Sequence, residues 1–250
     1  MPHDFDGSIL GQVAHRPWSM PARPWVMTQT WHDLLFAHWP IAAHDLRPKV
    51  PSEFELDVHG GSAWLGIVPF QMTNVAPRGV PSIPWISEFP ELNVRTYVRV
   101  ADRPGIYFFS LDAGSALAVH AARTLFNLPY YAATMKAAVE RGATQYDSRR
   151  NDAGAAAFTA TYRPTGSRFN AVPGSLEYFL TERYCLYNLD HRRAPYRLEI
   201  HHPPWPLQSA DAEIARNTMA EANGVTLPGV APLLHFAKRQ DMVGWLPESL

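Results

Sequence analysis

The chain has 250 residues, of which 46% are hydrophobic and 18% charged, and its formal net charge is −1. This composition predicts a folded globular protein and argues against disorder. Because no basic stripe stands out along the sequence, nucleic acid is not an expected partner.

Cysteine content and the N-terminal residues narrow the class of protein further. The single cysteine, Cys185, excludes an internal disulfide framework and a cysteine-rich zinc site. The opening residues MPHDFDGSIL lack the basic and apolar regions of a secretory signal. No apolar run approaches the roughly 20 residues that a membrane-spanning helix needs. We therefore expect a cytoplasmic protein with no membrane partner.

The first half of the chain has the pattern of a β protein. The 23 prolines of the whole chain fall mostly between apolar segments and favour many short strands. We predict an irregular arm over residues 1–24 and a single domain over 25–250. Residues 31–39 fit either a strand or a helix. Strands are predicted over 54–58, which lead into a Gly60-Gly61 hairpin, over 63–72 and over 91–100.

The second half predicts a mixture of strands and helices. One helix is expected from Asp112 to Phe126, with Asp112 or Ser115 as its N-cap. Two more helices are predicted from their end signals. One is Tyr131–Arg141, which stops at Gly142, and the other is Ser209–Asn223, with a Ser209 cap and Gly224 at its end. Strands are predicted over residues 143–150, 155–163, 183–189, 195–202 and, at the end, 233–236. Together these elements indicate an α+β fold with an antiparallel β core.

The clearest chemical pattern is one polar face of the strand at 91–100. Glu91, Asn93, Arg95 and Tyr97 alternate with apolar residues, so they lie on one side of the strand about 7 Å apart. Such a face could line a polar cavity, bind a carboxylate through Arg95 and transfer protons through Glu91. The alternative is a sheet face open to water.

Other candidate sites have weaker patterns. The histidines, which include His32, His201 and His202, show no metal-binding spacing, so no metal is predicted. Ser110 and Asp112 lie outside any GxSxG motif, which favours strand termination and helix capping over hydrolase chemistry. Glu182-Arg183 suggests a packed ion pair or the rim of a pocket. The three lysines have no obviously apolar setting that would lower a lysine pKa for Schiff-base chemistry.

Several segments, in order along nearly the whole chain, resemble the DUF2071 (YqjF-like) family of the acetoacetate decarboxylase-like superfamily. The segments are WHDLLFAHWPI (31–41), VPSEFELDVHGGSAWLGIVPFQM (50–72), FPELNVRTYV (89–98), GIYFFSLDAGSALAVHAARTLFNLPYYAATM (105–135), GSLEYFLTERYCLY (174–187), IHHPPWPLQ (200–208) and PLLHFA (232–237). The resemblance implies an acetoacetate decarboxylase-like antiparallel β barrel or cone with a few flanking helices. It also implies an enclosed pocket, and therefore favours the cavity-lining interpretation of the 91–97 face.

The resemblance also implies roles for individual residues. Glu91 occupies the place of the catalytic glutamate of acetoacetate decarboxylases. Tyr130 and Tyr131 stand where that family has its Schiff-base lysine and a neighbouring lysine. His32 falls near the family's active-site arginine. A phenol cannot form an imine, so acetoacetate decarboxylase activity itself is not expected.

Two functions are consistent with these residues. The first is a lyase, hydratase, isomerase or cyclase that acts by acid/base chemistry on an oxygenated or carboxylate-bearing small molecule, with no cofactor. Its catalytic residues would be Glu91, Tyr130 and Tyr131, and its substrate-binding residues would be His32, Asn93, Arg95, Tyr97 and Arg123. The second is a non-catalytic module that binds or senses a small molecule in the same cavity. An interaction protein with an aromatic partner surface is a third, less favoured hypothesis. Because family relatives often assemble, a homo-oligomer is also consistent with the resemblance.

Overall fold

A computed structural model of the chain describes residues 5–82, 87–152 and 156–250. Strands account for most of the regular structure in these residues. They are β1 (Met27–Ile41), β2 (Glu55–Leu56), β3 (Ala63–Pro77), β4 (Phe89–Val100), β5 (Arg103–Ala113), β6 (Tyr130–Glu140), β7 (Ala143–Arg150), β8 (Ala157–Phe169), β9 (Cys185–Leu189), β10 (Pro195–His201), β11 (Leu207–Asn217), β12 (Leu233–Gly244) and β13 (Glu248–Ser249). The α-helices are α1 (Ala43–Leu46), α2 (Ala116–Phe126) and α3 (Leu176–Thr181), and 3-10 turns lie at Gly7–Gly11, Arg47–Lys49 and Glu221–Asn223.

All the strands belong to one sheet, which closes on itself. Its order is β13-β10-β9-β5-β6-β7-β8-β11-β12-β1-β3-β4-β2, and further pairings join β10 to β12 and β4 to β5. Following paired neighbours from β4 through β5, β9, β10, β12, β1 and β3 therefore leads back to β4. The sheet is not a simple barrel, because β6, β7, β8 and β11 form a second path between β5 and β12. The predicted strand-rich core with few helices is confirmed.

Strand β4 is buried on both faces, and its two faces belong to different parts of the core. Leu92 and Val94 pack into one cluster with Leu65, Ile67 and other apolar residues. The opposite face contributes Glu91, Asn93 and Arg95, which are only 3%, 5% and 6% exposed. The interpretation of this face as a water-exposed sheet surface is therefore excluded.

Helix α2 connects two parallel neighbours, β5 and β6. It begins after Ser115, whose side chain accepts a hydrogen bond from the Ala118 amide, as predicted for an N-cap. Asp112, the other predicted cap, lies within β5. The helix ends at Asn127, which adopts a left-handed conformation, and the chain then enters β6 at Tyr130. The crossover thus brings Tyr130 beside Leu111 of β5.

Two of the predicted helices are strands. Residues 131–140 fall in β6, which pairs with β7, and residues 209–217 fall in β11, which pairs with β8. In β11 the partly buried Ala210, Ala212 and Ile214 alternate with exposed polar side chains, which is a period of two and not of 3.6. The helix-end signals were misleading, because pairing with distant strands outweighs such local preferences.

The remaining predicted elements are close to those observed. The ambiguous residues 31–39 lie within β1, and the strand predicted to include 233–236 continues to Gly244. The strand predicted over 54–58 is shorter, with only Glu55 and Leu56 paired. Part of the strand predicted over 155–163 falls outside the described residues, and the rest belongs to β8.

The N-terminal segment packs against the sheet. Ile9 is buried with Val243 and Trp245, and Phe5 and Leu10 pack on this cluster. The Arg16 guanidinium lies 3.2 Å from Oε2 of Glu199.

Candidate functional site

A cavity of about 180 Å³ lies inside the closed part of the sheet. Most of its lining is apolar and comes from strands on all sides of the circuit, for example Val68, Phe70, Ile106, Leu186, Ile200 and Met242. The polar residues in its lining include Glu91, Asn93, Arg95 and Tyr130. Because charged groups are costly in such surroundings, these few polar residues are the candidate functional groups.

Strand register explains why Glu91 and Tyr130 meet. In the β4–β5 ladder Asn93 pairs with Leu111, and in the β5–β6 ladder Leu111 pairs with Tyr130. Tyr130 therefore lies in the same row as Asn93, one side-chain step from Glu91 along the strand face. The Tyr130 hydroxyl donates a hydrogen bond to Oε2 of Glu91 at 2.7 Å, and both side chains are buried.

Burial dominates the electrostatics of this pair. Removal from water raises the pKa of Glu91 to about 8; the Tyr130 hydrogen bond opposes this shift, and the charge of Asp112 adds to it. Burial and the neighbouring carboxyl raise the pKa of Tyr130 well above its ordinary value. At neutral pH Glu91 is therefore mostly protonated, and Tyr130 is a neutral phenol. A pKa near the working pH suits a group that both gives and takes protons.

The backbone around the pair is held by two further side chains. Tyr146 donates to the Glu91 carbonyl oxygen at 2.6 Å, and Nε of Arg123 donates to the Tyr130 carbonyl oxygen at 2.6 Å. Arg123 is largely exposed and is not part of the cavity lining. It contacts the backbone of one candidate catalytic residue; its predicted role in substrate binding stays a prediction.

Tyr131 points away from the cavity, as expected for the residue next to Tyr130 in a strand. Its ring lies 3.8 Å from the Arg150 guanidinium. Arg150 in turn forms a close ion pair with Asp112, with Nη2 at 2.7 Å from Oδ1. Burial raises the pKa of Asp112, and the hydrogen bond from Arg150 opposes that shift. The catalytic role predicted for Tyr131 stays a prediction.

Arg95 and Tyr97 extend the polar face of β4. Nη2 of Arg95 donates to the Leu180 carbonyl oxygen at 3.2 Å, and its guanidinium lies 5.2 Å from the Phe36 ring centre. Tyr97 is fully buried but does not line the cavity. The Tyr97 hydroxyl donates to the same Leu180 oxygen at 2.8 Å and lies 2.6 Å from Nε2 of His38.

His32 lies outside the cavity. It contributes to a separate, more open groove with Lys136 and Lys238, and its Nε2 lies 2.8 Å from Oγ1 of Thr73. Met72 and Phe89 belong to the linings of both spaces. The structure therefore does not bring His32 together with Glu91 and Tyr130.

Other sequence-level candidates have structural partners. Glu182 and Arg183 are not paired with each other: Glu182 contacts the Tyr184 hydroxyl and the Trp205 amide, and Arg183 pairs with Asp57 at 2.8 Å. The Ser110 hydroxyl accepts a hydrogen bond from Asn223. These groups form structural contacts and not a catalytic triad.

Nothing in the described residues 5–82, 87–152 and 156–250 suggests a metal ion or an imine-forming lysine. No group of three or more histidine, cysteine, aspartate or glutamate side chains there could hold a metal. No described lysine lines the cavity. In the same residues, no helix combines the length and the apolar character that a membrane crossing would require.

The sequence did not identify the aromatic wall of the cavity. Trp31 and Trp205 stack with ring centres 5.6 Å apart, and Phe36 meets Trp205 edge to face at 4.9 Å. Trp205 lies between two prolines, in a segment that shows neither strand nor helix periodicity. A residue of this kind can be assigned to a cavity only from its tertiary contacts.

Sequence comparison identifies the family of the chain. The family model DUF2071, described as an uncharacterized conserved protein, matches residues 28–241. The uncharacterized protein YqjF of Bacillus subtilis (strain 168) is 52% identical over 227 residues, which cover 91% of this chain and 93% of that protein. The predicted family resemblance is confirmed.

Comparison with solved structures shows the fold. Acetoacetate decarboxylase from Legionella pneumophila matches with a TM-score of 0.62 at 11% identity, over 100% of this chain and 98% of that chain. The enduracididine biosynthesis enzyme MppR, complexed with the condensation product of pyruvate and imidazole 4-carboxaldehyde, matches with a TM-score of 0.63 at 11% identity, over 93% and 92% of the two chains. An acetoacetate decarboxylase-like enzyme from Sphingomonas wittichii RW1 gives 0.59 at 10% identity, over 94% and 98%. The chain therefore belongs to the DUF2071 family and has the acetoacetate decarboxylase-like fold.

Proposed function

We propose that the protein is an enzyme that transfers protons to and from a small oxygenated molecule in the cavity, without an imine intermediate. The observation that carries this proposal is the Glu91–Tyr130 hydrogen bond of 2.7 Å between two buried residues that line the cavity. A lyase, hydratase, isomerase or cyclase reaction would use such a pair.

Each member of the pair has a distinct role in this proposal. Protonated Glu91 gives its proton to a carbon or oxygen of the substrate, and ionised Glu91 removes one. The Tyr130 hydroxyl donates a hydrogen bond to the negative charge, which lies on Glu91 before a proton is taken and on the substrate oxygen afterwards. The proton that ionised Glu91 takes from the substrate is returned by protonated Glu91 to another carbon or oxygen of the same molecule. Glu91 therefore ends each cycle in its starting state.

Fold relatives support a small-molecule substrate. MppR is described as a biosynthesis enzyme and has been solved in complex with pyruvate. At 11% identity this likeness shows the fold alone, so the substrate of that enzyme does not transfer to this chain.

The proposal is tested by proton NMR in D2O with a panel of small keto acids, hydroxy acids and ketones. Exchange of the hydrogens next to a carbonyl reports proton transfer even where no product accumulates. We expect exchange or turnover of at least one compound by the wild-type protein, and a fall on the order of a hundredfold or more in both Glu91→Gln and Tyr130→Phe.

Matched controls are available elsewhere in the chain. Glu213→Gln changes an exposed carboxylate on β11, and Tyr107→Phe changes a half-buried tyrosine that does not line the cavity. Both should leave activity at the wild-type level. Wild-type activity in both Glu91→Gln and Tyr130→Phe would refute the proposal. Ligand-induced thermal stabilisation without exchange or turnover would instead identify a binding or sensing module.

A further inference from the structure

Within the described part of the chain, Arg95 differs from the other buried arginines in having no carboxylate partner. Arg150 and Arg183, which are as deeply buried, lie 2.7 Å and 2.8 Å from carboxylate oxygens of Asp112 and Asp57. Among the described residues no aspartate or glutamate forms an ion pair with Arg95, which is 6% exposed. A buried charge without a counter-ion is costly, so this position is suited to a ligand that brings the opposite charge.

The surroundings of Arg95 fix its position without neutralising it. A backbone carbonyl of Leu180 and the hydroxyl of Tyr97 accept from Nη2, and the Phe36 ring packs against the guanidinium. The nearby His38 supplies no negative charge. Burial and, secondarily, Arg95 itself hold the pKa of His38 well below its usual range. The guanidinium is thus a rigid, uncompensated cation at the cavity wall.

Two more polar atoms in the cavity lining lack partners among the described residues. They are Oδ1 of Asn93, which can only accept a hydrogen bond, and Nε1 of Trp205, which can only donate one. Nε of Arg95 is a third such atom and also a donor. Trp205 and Arg95 both pack against Phe36, so the two donors lie in one region of the cavity. A ligand that satisfies them offers an acceptor at this end and an O–H group near Asn93.

The rest of the lining defines the body of the ligand. It is formed by aliphatic and aromatic side chains, which favour a hydrocarbon chain or ring. A cavity of about 150 Å³ with such a lining can hold benzene, and this cavity is about 180 Å³. The ligand therefore has a short apolar body.

We infer that the cavity binds a small monocarboxylate with an apolar body and a hydroxyl or enol group. Its carboxylate is held by Arg95 and Trp205, its O–H donates to Asn93, and the carbon beyond the O–H faces Glu91. The inference deepens the proposed function, on which it rests for the identity of the reacting end. The carboxylate subsite itself requires no turnover.

Calorimetric titration of the full chain with three probes tests the subsite. We expect binding of hexanoate, tighter binding of 3-hydroxyhexanoate, and binding of hexanamide weaker than hexanoate by on the order of tenfold or more. In Arg95→Met the preference for hexanoate over hexanamide should disappear. In Asn93→Leu the advantage of 3-hydroxyhexanoate over hexanoate should disappear, while the preference for the carboxylate remains.

Thermal unfolding without added probe separates a binding role from a structural one. Removing an uncompensated buried charge should leave the melting temperature of Arg95→Met unchanged or raise it. Arg183→Met, the control for loss of a paired buried arginine, should melt at lower temperature. Arg99→Met removes a partly exposed arginine of the same strand and should keep the wild-type preference among the probes.

Failure of this inference and failure of the proposed function give different results. Equal affinity for hexanoate and hexanamide in the wild type, or an unchanged preference in Arg95→Met, overturns the carboxylate subsite even if Glu91-dependent proton exchange is observed. The opposite result is also possible: carboxylate binding depends on Arg95 and is retained in Glu91→Gln, but the wild type catalyses no proton exchange. That result supports the subsite and overturns the acid/base function.

Discussion

The hydroxyl of Tyr130 lies 2.7 Å from Oε2 of Glu91, and neither side chain is more than 7% exposed. The two residues are 39 positions apart in the sequence. They meet because β4, β5 and β6 are neighbours in one sheet and because the crossover through α2 sets β6 parallel to β5. This hydrogen bond between two buried side chains is the observation on which the proposed acid/base function rests.

The stability of the protein should depend on the ionisation of Glu91. Its pKa is about 8 in the folded protein and near the ordinary value of 4.5 in the unfolded chain. The folded state therefore holds the proton more tightly, so the contribution of Glu91 to stability is complete below about pH 4.5 and is lost as pH rises through about 8. Relative to Glu91→Gln, the wild type should lose up to about 1.4 kcal/mol of unfolding free energy per pH unit in this range.

Urea unfolding of both proteins at intervals between about pH 5 and about pH 8 measures this difference. Other buried groups that titrate are present in both proteins, so their contributions largely cancel in the comparison. If the unfolding free energies of wild type and Glu91→Gln change with pH in the same way, burial does not raise the pKa of Glu91.

Removal of the Tyr130 hydroxyl should raise the pKa of Glu91 further. Burial and the Asp112 charge raise the pKa of Glu91, and the hydrogen bond from Tyr130 lowers it. Tyr130→Phe removes this lowering effect and keeps the two that raise the pKa. We expect an upward shift of the Glu91 titration in Tyr130→Phe and a loss of about 1 kcal/mol in stability. Carbon-13 NMR of labelled glutamate carboxyls, assigned through Glu91→Gln, follows the titration. Tyr107→Phe should leave it unchanged, and a downward shift in Tyr130→Phe would contradict the geometry.

The buried Asp112–Arg150 pair should be important for stability. Both side chains are almost completely buried, and Arg150 also packs on Tyr131. Arg150→Met leaves the carboxylate of Asp112 uncompensated and should cost about 3–5 kcal/mol of unfolding free energy. The matched control is Arg163→Met, because the Arg163–Asp211 pair spans 3.6 Å on an exposed surface.

Loss of that exposed pair should change stability by less than about 1 kcal/mol. The double variant Asp112→Asn/Arg150→Met should be more stable than Arg150→Met alone, since no buried charge is left without a partner. Equal losses for Arg150→Met and Arg163→Met in urea unfolding would be inconsistent with the buried pair.

Gly105 should not tolerate a side chain. A Cβ atom at this position would lie 2.6 Å from the Tyr187 ring and 2.9 Å from the Cys185 carbonyl oxygen, both in the neighbouring β9. Gly105→Ala should therefore cost about 1–3 kcal/mol, because overpacking forces strands apart. Gly229→Ala meets nothing within 4 Å and serves as the control. A melting temperature for Gly105→Ala equal to that of Gly229→Ala would mean that β9 does not approach β5 as described.

Local patterns predicted several features well. Alternation along 91–100 correctly predicted a strand with Glu91, Asn93 and Arg95 on one face, because side-chain direction in a strand follows directly from backbone geometry. The Ser115 cap was also predictable, since it depends on a hydrogen bond between residues only three positions apart in the sequence. The helices predicted at 131–141 and 209–223 were wrong because cap-like ends and helix propensity give only a weak local preference, which pairing with distant strands outweighs.

By itself, the sequence determined the family, the strand-rich core and the absence of an imine-forming lysine at positions 130 and 131. Only the tertiary structure decided that the polar face of β4 is buried, that Glu91 and Tyr130 are hydrogen-bonded, and that Arg95 has no carboxylate partner among the described residues. The physical reason is that burial, pKa and charge compensation depend on which distant strands close around a side chain. In this protein those strands are β1, β5, β9, β10 and β12, whose arrangement no local pattern in 91–97 could show.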